Sequence, residues 1–557
     1  MIPMVLLNLP RFFYMRTNGN CGSRPVSQSR GVEVSICAVV LLGWLAVCPG
    51  LAGAAGFPFF EPVQPPRAVQ VMAHRGASGQ APENTRAALN QCIEDGIEWA
   101  EVDLRLTRDG RHVLCHDAVF TDGAGKPWTV RDHTLAELLQ LDAGSGFAPH
   151  FAGEKVLSLG DCLAVCMKRL NLYLDCKDVN PEQLAREILE GGMETQVVVY
   201  GEVEELRRIR QVSGGKLALM AKWRPGMDVP GFALTNGLAA VEIDAPNLTS
   251  SIRESFKKAG IKVQAKVLAE WDKPEVWERS ISAGADWLQT DLPEEVMAHA
   301  LWRRIPRRPV EISLHRGAGR YAPENTMPAF TKAARLGVNY VEFDVRASLD
   351  GTFFLLHDSR LDRTTDGSGP MDKLPAEAIR KLSAGIKFGK PFAPVSIPSL
   401  DEFLASMVGA REQLYLDAKA IPPEALAAAL KRHDLVARTV VYQSPEYLAR
   451  LKAIDPRIRR LPPLGKAGDL DGLLAAVEPY AVDVDWRILS KDLIARCHAG
   501  GTKVFSDALD ENEQIKEYSK AMDWGIDLIQ TDHPLRVMRA IELREDRKPQ
   551  PPEPLRP

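Results

Sequence analysis

The chain has 557 residues, more than twice the roughly 250 that a typical single-domain (β/α)8 barrel uses, so at least two domains are expected. Its hydrophobic fraction of 45% and charged fraction of 25% are those of a soluble globular protein, which excludes disordered, collagen-like and coiled-coil classes. A net charge of −4 without a clustered basic stretch excludes nucleic acid as the expected partner.

The first 54 residues are predicted to form a secretory signal peptide. Four arginines precede an apolar run from Ile36 to Cys48, and small residues at 52–54 give an A-x-A cleavage pattern. An uncleaved membrane anchor is the alternative, but this run is shorter than the roughly 20 apolar residues that span a bilayer. We therefore expect export to the periplasm or the extracellular space, with no integral membrane span after signal removal.

The cysteines do not form a disulfide framework. Of nine cysteines, three lie in the predicted leader, five lie in the first half of the remaining chain and only Cys497 lies in the second half. A bridge pattern shared by two domains is therefore not expected. Cys162 and Cys166 are one helical turn apart, which favours packing over metal binding.

A long internal repeat divides the rest of the chain. The segment MAHRGASGQAPENT begins at Met72, and SLHRGAGRYAPENT begins 241 residues later at Ser313. A register kept over more than 200 residues indicates a duplicated domain, because solenoid units repeat every 20 to 50 residues or so. The same spacing, or one residue more, relates Glu83 to Glu324, Glu101 to Glu342, Asp103 to Asp344, His116 to His357, Asp175 to Asp417, Lys177 to Lys419 and Asp291 to Asp532.

Within each copy, short β-rich runs alternate with amphipathic helical patterns, as in chains of βα units. Nearly eight such pairs in about 235 residues favour a closed (β/α)8 barrel of the TIM type. An open doubly wound sheet is the alternative, but no Gly-rich dinucleotide loop follows the first strand. In the first copy we predict strands at 69–73, 99–105, 112–115, 171–176, 196–200, 217–222, 239–244, 262–267 and 286–290, and helices at 83–95, 134–141, 159–169, 181–190, 203–212, 249–259 and 273–283.

The predicted architecture is therefore α/β, with two tandem barrels at 66–300 and 311–543. The basic, proline-bearing stretch at 301–310 is predicted to be a linker, and attraction of its arginines to phosphate or to a lipid headgroup is a second interpretation. The proline-rich segment at 544–557 cannot form a packed element and is predicted to be a disordered tail.

Carboxylates recur at the predicted carboxyl ends of strands, where barrel enzymes carry their reactive groups. Glu101 and Asp103 point the same way, because alternate residues of a strand face one side. Asp175 ends another strand of the same barrel. Three converging carboxylates repel one another and need a cation, and an all-oxygen ligand set suits Ca²⁺ or Mg²⁺ better than zinc. We expect one such metal ion in each barrel.

Histidines and basic residues accompany these carboxylates. Histidine is the side chain best suited to accept and donate protons at physiological pH, so His74 and His116 are candidates for a proton acceptor and a proton donor. Arg75 and Lys177 add the positive charge that phosphoryl oxygens require in the transition state. Each feature alone has an ordinary structural interpretation; the Glu-Asn-Thr segment at 83–85, for example, can simply cap a helix. Recurrence of the whole set in two diverged copies favours a site for phosphodiester cleavage.

In both copies, the motifs H-R-G, P-E-N-T, E-x-D, H-D and D-x-K resemble the glycerophosphodiester phosphodiesterase family, over almost the whole of each repeat. The resemblance implies barrels of the phosphatidylinositol-phosphodiesterase-like type. It also implies metal-dependent hydrolysis of glycerophosphodiesters to sn-glycerol 3-phosphate and an alcohol, in glycerophospholipid metabolism. By this resemblance the catalytic residues are His74, His116, His315 and His357, the metal ligands are Glu101, Asp103, Asp175, Glu342, Asp344 and Asp417, and the phosphate-binding residues are Arg75, Lys177, Arg316 and Lys419.

Two departures from the family pattern affect these expectations. The third metal ligand is usually Glu, whereas Asp175 and Asp417 are one methylene shorter, which leaves the metal preference open. The second copy has the family-like HDSRLDRTTDGSG from His357, but the first reads HDAVFTDGAG from His116 and lacks the Arg-Thr-Thr element. An altered substrate fit in the first barrel is expected, with inactivity as the alternative.

Two other functions remain compatible with the sequence. A phospholipase D-like or sphingomyelinase D-like enzyme would act on lysolipids through a related barrel. A phosphate-ligand-binding protein with one or both barrels inactive is the third hypothesis, but it leaves the retained histidine pairs unexplained. The expected partner is a small-molecule glycerophosphodiester, with lipid headgroup contact left open, and the nucleophile is either water or the neighbouring glycerol hydroxyl.

Overall fold

The structure is a computed structural model that describes residues 56–546. The predicted signal peptide at 1–54 lies outside the described residues, as do residues 547–557 of the predicted tail. Residues 544–546 of that tail instead complete the last helix, where Asp546 pairs with Arg304 at 2.6 Å. Among residues 56–546, no helix is both long and apolar enough to cross a membrane.

Eight parallel strands form a closed ring in the first barrel, and three short strands lie outside it. The strands are β1 (Gln70–Ala73), β2 (Trp99–Leu106), β3 (His112–Leu114), β4 (Val119–Thr121), β5 (Pro127–Thr129), β6 (Asn171–Cys176), β7 (Val197–Tyr200), β8 (Ala218–Lys222), β9 (Ala240–Asp244), β10 (Lys262–Lys266) and β11 (Trp287–Thr290). β1 pairs with both β2 and β11, which closes the ring. β3 pairs antiparallel with β2, and β4 and β5 form a hairpin that the sequence did not predict.

The helices of the first barrel are α1 (Arg86–Asp95), α2 (Leu135–Leu138), α3 (Leu159–Cys166), α4 (Pro181–Glu190), α5 (Val203–Val212), α6 (Gly231–Asn236), α7 (Ser250–Lys258), α8 (Pro274–Ser282) and α9 (Pro293–Arg304). Several begin with a capping side chain or with proline in the first turn, both of which suit the unpaired N–H groups there. α9 reaches Arg304, so residues 301–304 of the predicted linker are helical. The helix continues because Leu301 is buried in the core, and the connection is confined to 305–310.

The second barrel repeats this design, with one interrupted strand. Its strands are β12 (Glu311–Leu314), β13 (Tyr340–Ala347), β14 (Phe353–Leu355), β15 (Gln413–Asp417), β16 (Thr439–Tyr442), β17 (Arg459–Leu461), β18 (Pro463–Leu464), β19 (Ala481–Val484), β20 (Lys503–Asp507) and β21 (Leu528–Thr531). β14 pairs antiparallel with β13. β17 pairs with β16 and β18 pairs with β19, and the break between them falls at Pro462, which lacks an N–H for the ladder. The predicted pair of tandem (β/α)8 barrels is confirmed.

The helices of the second barrel surround this sheet. They are α10 (Met327–Leu336), α11 (Ala376–Ile379), α12 (Leu400–Ser406), α13 (Pro423–Arg432), α14 (Pro445–Ile454), α15 (Leu470–Val477), α16 (Lys491–Ala499), α17 (Ile515–Trp524) and α18 (Pro534–Asp546).

Aromatic side chains fill each barrel near the amino ends of its strands. In the first barrel, the ring centroids of Trp99 and Trp287 are 4.6 Å apart, and Phe59 from the preceding segment packs on both. In the second barrel, Tyr340 and Phe505 occupy this level, 5.6 Å apart. Because these ends are packed, the polar residues at the carboxyl ends of the strands line the open mouth of each barrel.

The cysteines of the described residues are free thiols. Cys162 and Cys166 both lie in α3 and are buried in the apolar core. The prediction that this pair serves packing is confirmed.

The two barrels are joined by buried ion pairs. Lys332 in α10 lies 2.6 Å from Glu294 in α9 and also contacts Glu295. Both glutamates are at most 3% exposed. Arg320 of the second barrel reaches Glu94 of the first at 2.8 Å. Among residues 56–546, the ion-pair partners of Glu294, Glu295 and Arg320 therefore all belong to the opposite barrel.

Replacing Lys332 by methionine is expected to destabilise the folded chain by about 3 kcal/mol, because buried Glu294 loses its cation and buried Glu295 keeps only the more distant Arg335, at 3.7 Å. Lys381→Met is the matched control, since Lys381 is 71% exposed and pairs with an exposed Glu377. Calorimetric unfolding should show a clear fall in Tm for the first variant and little change for the second. Equal Tm values would contradict a structural role for the buried pair.

Candidate active site

Three carboxylates converge at the mouth of the first barrel. Glu101 and Asp103 lie in β2, and Asp175 lies in the adjacent β6, in register with Asp103. One oxygen atom of each lies within 4.8 Å of the others. Glu101 and Asp103 are each 1% exposed, so their charges are withdrawn from water. The second barrel places Glu342, Asp344 and Asp417 in the same arrangement.

This grouping of acids is electrostatically unfavourable on its own. Burial, and then the charges of Asp103 and Asp175, raise the pKa of Glu101 well above its ordinary value. Burial and the corresponding neighbours do the same to the pKa of Glu342. Asp103 Oδ1 is buried and makes no hydrogen bond to any described residue, although Lys177 Nζ lies 3.3 Å away. A set of three oxygen donors with an unsatisfied buried oxygen fits a divalent cation.

Two neighbouring groups fix the orientation of these carboxylates. The side chain of Asn84 donates to Asp103 Oδ2 at 2.8 Å and accepts from the Asp103 N–H at 3.0 Å. The Arg75 N–H donates to Glu101 Oε2 at 2.7 Å. The sequence suggested only a helix cap here, and Thr85 does cap α1, but Asn84 has this separate role. Asn325 and Arg316 make the equivalent bonds in the second barrel.

The H-R-G motif has a local structural cause. Arg75 adopts a left-handed backbone conformation, with φ of 56°, and Gly76 follows with φ of 76°. A Cβ atom at position 76 would lie 2.8 Å from the Cβ of Ala88 in α1, so glycine is required there. This tight turn aims the Arg75 N–H at Glu101 and sends the guanidinium toward Glu83, 2.9 Å away.

Each predicted catalytic histidine is held through its Nδ1 atom by an aspartate. His74 contacts Asp291 at 2.7 Å, and its Nε2 atom lies 3.9 Å from Glu101. His116 contacts Asp117 at 2.8 Å. In the second barrel, the corresponding pairs are His315 with Asp532 at 3.1 Å and His357 with Asp358 at 2.7 Å. Binding Nδ1 to an acid fixes the ring orientation and leaves Nε2 available for proton exchange.

Asp291 and Asp532 recur in the repeat but have no role predicted from the sequence. The hydrogen bond with His74 lowers the pKa of Asp291, which keeps it anionic and able to orient that ring. Both aspartates keep the spacing of the repeat, so recurrence was the signal that could have identified them.

The predicted phosphate-binding lysines lie directly beside the carboxylates. Lys177 Nζ is 2.7 Å from Asp175, and Lys419 Nζ is 2.5 Å from Asp417. Burial opposes the charge of Lys177, but the hydrogen bond and the charge of Asp175 outweigh it and raise the pKa of the lysine. A cationic lysine thus remains at the mouth, within reach of an anion that contacts the carboxylate cluster.

The loop after the second histidine differs between the barrels. In the second barrel, Arg363 of the Arg-Thr-Thr element donates to Asp358 at 2.7 Å and to Glu324 at 2.6 Å. The first barrel has the β4–β5 hairpin in this region, and the side chain of Asp117 is 78% exposed, compared with 31% for Asp358. In the second barrel, the aspartate that binds His357 is therefore itself bound by Arg363 and is less exposed than Asp117.

Carboxylate oxygens that could hold a divalent cation, basic side chains and acid-oriented histidines meet at the mouth of each barrel. These are the groups that phosphoryl-transfer chemistry uses, and in a (β/α)8 barrel they define a phosphoric diester hydrolase. The sequence model of the glycerophosphoryl diester phosphodiesterase family matches residues 74–219 and 315–536, and the chain belongs to this family.

The matches with individual proteins extend over about one barrel or part of one. A glycerophosphodiester phosphodiesterase from Caldanaerobacter subterraneus is 32% identical over 237 residues, which cover 41% of this chain and 96% of the relative. Human glycerophosphodiester phosphodiesterase 1 is 36% identical over 23% of this chain and 39% of its own length. The crystal structure of a glycerophosphodiester phosphodiesterase from Agrobacterium tumefaciens is 29% identical, covers 41% of this chain and 99% of its own, and has a TM-score of 0.39.

Proposed function

We propose that each barrel hydrolyses glycerophosphodiesters to sn-glycerol 3-phosphate and an alcohol, with one Ca²⁺ or Mg²⁺ ion per barrel. The observation that carries this proposal is the presence, in both barrels, of the complete set of three converging carboxylates and two acid-oriented histidines. Family membership and the named bacterial relative support the substrate class.

In this proposal, each group of residues at the mouth of a barrel has a separate role in the reaction. The three carboxylates hold the cation, which when bound offsets the negative charge of the phosphate and acidifies the attacking hydroxyl. Arg75 and Lys177 in the first barrel bind the non-bridging phosphate oxygens. One histidine accepts the proton of the nucleophile, and the other donates a proton to the leaving alcohol. The nucleophile is water or the adjacent glycerol hydroxyl, and both fit this scheme.

We also propose that the protein acts after export, on glycerophosphodiesters derived from membrane lipids. The signal-like pattern at 1–54 supports this proposal. Mass spectrometry of the chain from fractionated cells should find a mature amino terminus near residue 55 outside the cytoplasm. A full-length chain confined to the cytoplasm would refute it.

Product analysis separates the proposed reaction from its alternatives. The purified chain is incubated with glycerophosphocholine and, separately, with lysophosphatidylcholine, and the products are followed by phosphorus NMR. We expect sn-glycerol 3-phosphate from the first substrate. Preferred conversion of lysophosphatidylcholine to lysophosphatidic acid would indicate a phospholipase D-like enzyme. Saturable binding without turnover of either substrate would indicate a phosphate-ligand-binding protein.

Replacing Arg363 by alanine is expected to lower the kcat of the second barrel about tenfold, because Asp358 no longer holds His357 in one orientation. The measurement uses a chain in which His116→Ala silences the first barrel. Arg360→Ala is the matched control, since Arg360 is 58% exposed and pairs only with Asp362 in the described chain. An unchanged kcat in the Arg363 variant would show that this loop does not position the histidine.

A further inference from the structure

The two mouths carry different charges on the side formed by the later strands of each barrel. The sheet pairs Lys222 with Glu242 in the first barrel, and Pro463 with Asp483 at the same place in the second. One strand further, Lys266 of β10 corresponds to Asp507 of β20, because these residues pair with Gln289 and Gln530 respectively. At these three positions the first barrel has Lys222, Glu242 and Lys266. The second barrel has Pro463, Asp483 and Asp507 there, so it has two acids and no lysine.

In the second barrel these acids line a cavity of about 420 Å³. Asp483 and Asp507 each present a buried Oδ1 atom that makes no hydrogen bond to any described residue. Tyr442 and Trp486 add aromatic surface to the same cavity. Asp485, also at the cavity, is already bound by Arg487 at 2.9 Å. Within the described part of the chain, the cavity therefore offers two acids, each with one Oδ1 atom free of hydrogen bonds, beside two aromatic rings.

This cavity adjoins the catalytic carboxylates of the second barrel. Tyr442, which lines the cavity, pairs in the sheet with Asp417, one of the three converging carboxylates. Burial, followed by repulsion from Asp507 and Asp417, raises the pKa of Asp483. A ligand whose phosphate sits at the metal ligands would thus extend one arm into the acidic cavity.

The first barrel satisfies its acids internally at this place. Lys222 Nζ lies 2.7 Å from Asp244 and 3.5 Å from Glu242. Glu242 also accepts hydrogen bonds from the hydroxyl groups of Tyr173 at 3.2 Å and Tyr200 at 3.3 Å. In the first barrel, the charge of Lys222 thus offsets those of the neighbouring acids, and the side chains at this place offer hydrogen bonds to an uncharged ligand.

Residues that are identical in the two barrels are expected to bind the part common to their substrates. Residues that differ are expected to bind the part in which the substrates differ, which is the leaving alcohol. The metal ligands, histidines and phosphate-binding residues are identical and suit the common glycerophosphate. We propose that the second barrel selects diesters whose leaving alcohol carries an ammonium group, whereas the first barrel selects diesters of uncharged polyols. This inference rests on the proposed function.

The physical reason is the cost of two partly buried carboxylates whose Oδ1 atoms have no hydrogen-bond partner among the described residues. A cation between Asp483 and Asp507 relieves their mutual repulsion and replaces hydration lost on burial. Trp486 and Tyr442 add cation–π attraction, which is strongest for desolvated ammonium groups. A polyol brings no charge to offset the acids and would bind this cavity more weakly.

The test compares two single-barrel enzymes made in the full chain, with His116→Ala to leave the second barrel active and His357→Ala to leave the first. For each, kcat/KM is measured with glycerophosphocholine and with glycerophosphoglycerol. For each enzyme, the preference is the ratio of kcat/KM for the choline diester to kcat/KM for the glycerol diester. We expect this ratio to be at least about tenfold higher for the second barrel than for the first, because a desolvated charge pair discriminates on this scale. Adding Asp483→Asn to the second-barrel enzyme should reduce this preference, whereas the exposed Asp492→Asn should not.

Each outcome decides between the inference and the proposed function. Equal preferences in the two single-barrel enzymes, or an equal loss for both substrates on Asp483→Asn, would overturn the selection by charge and leave the hydrolytic function intact. If neither single-barrel enzyme released glycerol 3-phosphate from either diester, the proposed function itself would fail. The comparison of the two barrels does not depend on the Asp483 variant, so poor folding of that variant leaves the inference testable.

Discussion

A chain carrying both His116→Ala and His357→Ala is expected to lose about a thousandfold of its phosphodiesterase kcat, because each barrel loses one of its two proton-transfer groups. Each single variant should retain the turnover of the other barrel. Both histidines are partly exposed at the mouths, and each is bound by the aspartate that follows it, so folding should be preserved. The measurement is the rate of glycerol 3-phosphate release at saturating glycerophosphodiester.

His150→Ala is the matched control for the double variant. His150 is exposed, lies on the surface of the first barrel and stacks on Phe151. Its loss should leave the rate unchanged. Full activity in the double variant would remove His116 and His357 from catalysis.

The second large effect is expected when one carboxylate of the three-acid cluster is replaced in each barrel. Glu101→Gln together with Glu342→Gln should lower activity at least a hundredfold and remove the stabilisation that Ca²⁺ or Mg²⁺ gives the chain. In the unaltered protein, each occupied site should contribute about 2.7 kcal/mol when the metal is present at 100 times its Kd. Without added metal the double variant should unfold at a higher temperature than the unaltered chain, because one buried, repelled charge per barrel is gone.

The readout for this pair is Tm measured with and without metal. Glutamine still accepts a hydrogen bond from the N–H of Arg75 or Arg316, so the turn of the H-R-G motif is kept. Glu204→Gln is the control, because the Glu204 side chain is 90% exposed and should have no effect on the metal response. A full metal-induced rise in Tm for the double variant would place the metal elsewhere.

Periodicity and the repeat predicted most of the barrel, because strand cores and amphipathic helices are local patterns. The predicted strand at 196–200, for example, is observed at Val197–Tyr200. The sequence placed the start of the linker at residue 301, whereas α9 continues to Arg304, because contacts with distant residues hold its last turn. The arginines of 301–304 resemble a linker, but Arg304 pairs at 3.0 Å with Glu542, which lies 238 residues away in the second barrel.

The recurring acids, histidines and basic residues also pointed to the candidate site before its geometry was known. What sequence could not supply was the partner of each group. Asp291 lies 217 residues from His74, and no short motif joins them. Asn84 was hidden because the neighbouring Thr85 fully explains the capping pattern. The charge difference at Asp483 and Asp507 was missed because a search for identical residues passes over positions where the copies differ.

The most direct test of a metal-assisted diester hydrolase is the release of glycerol 3-phosphate from glycerophosphocholine by the purified chain after chelation and after metal is restored. We expect the rate to fall to background with chelator and to return when Ca²⁺ or Mg²⁺ is added in excess. An undiminished rate in the metal-free protein would contradict a role for the two carboxylate clusters in holding a catalytic cation.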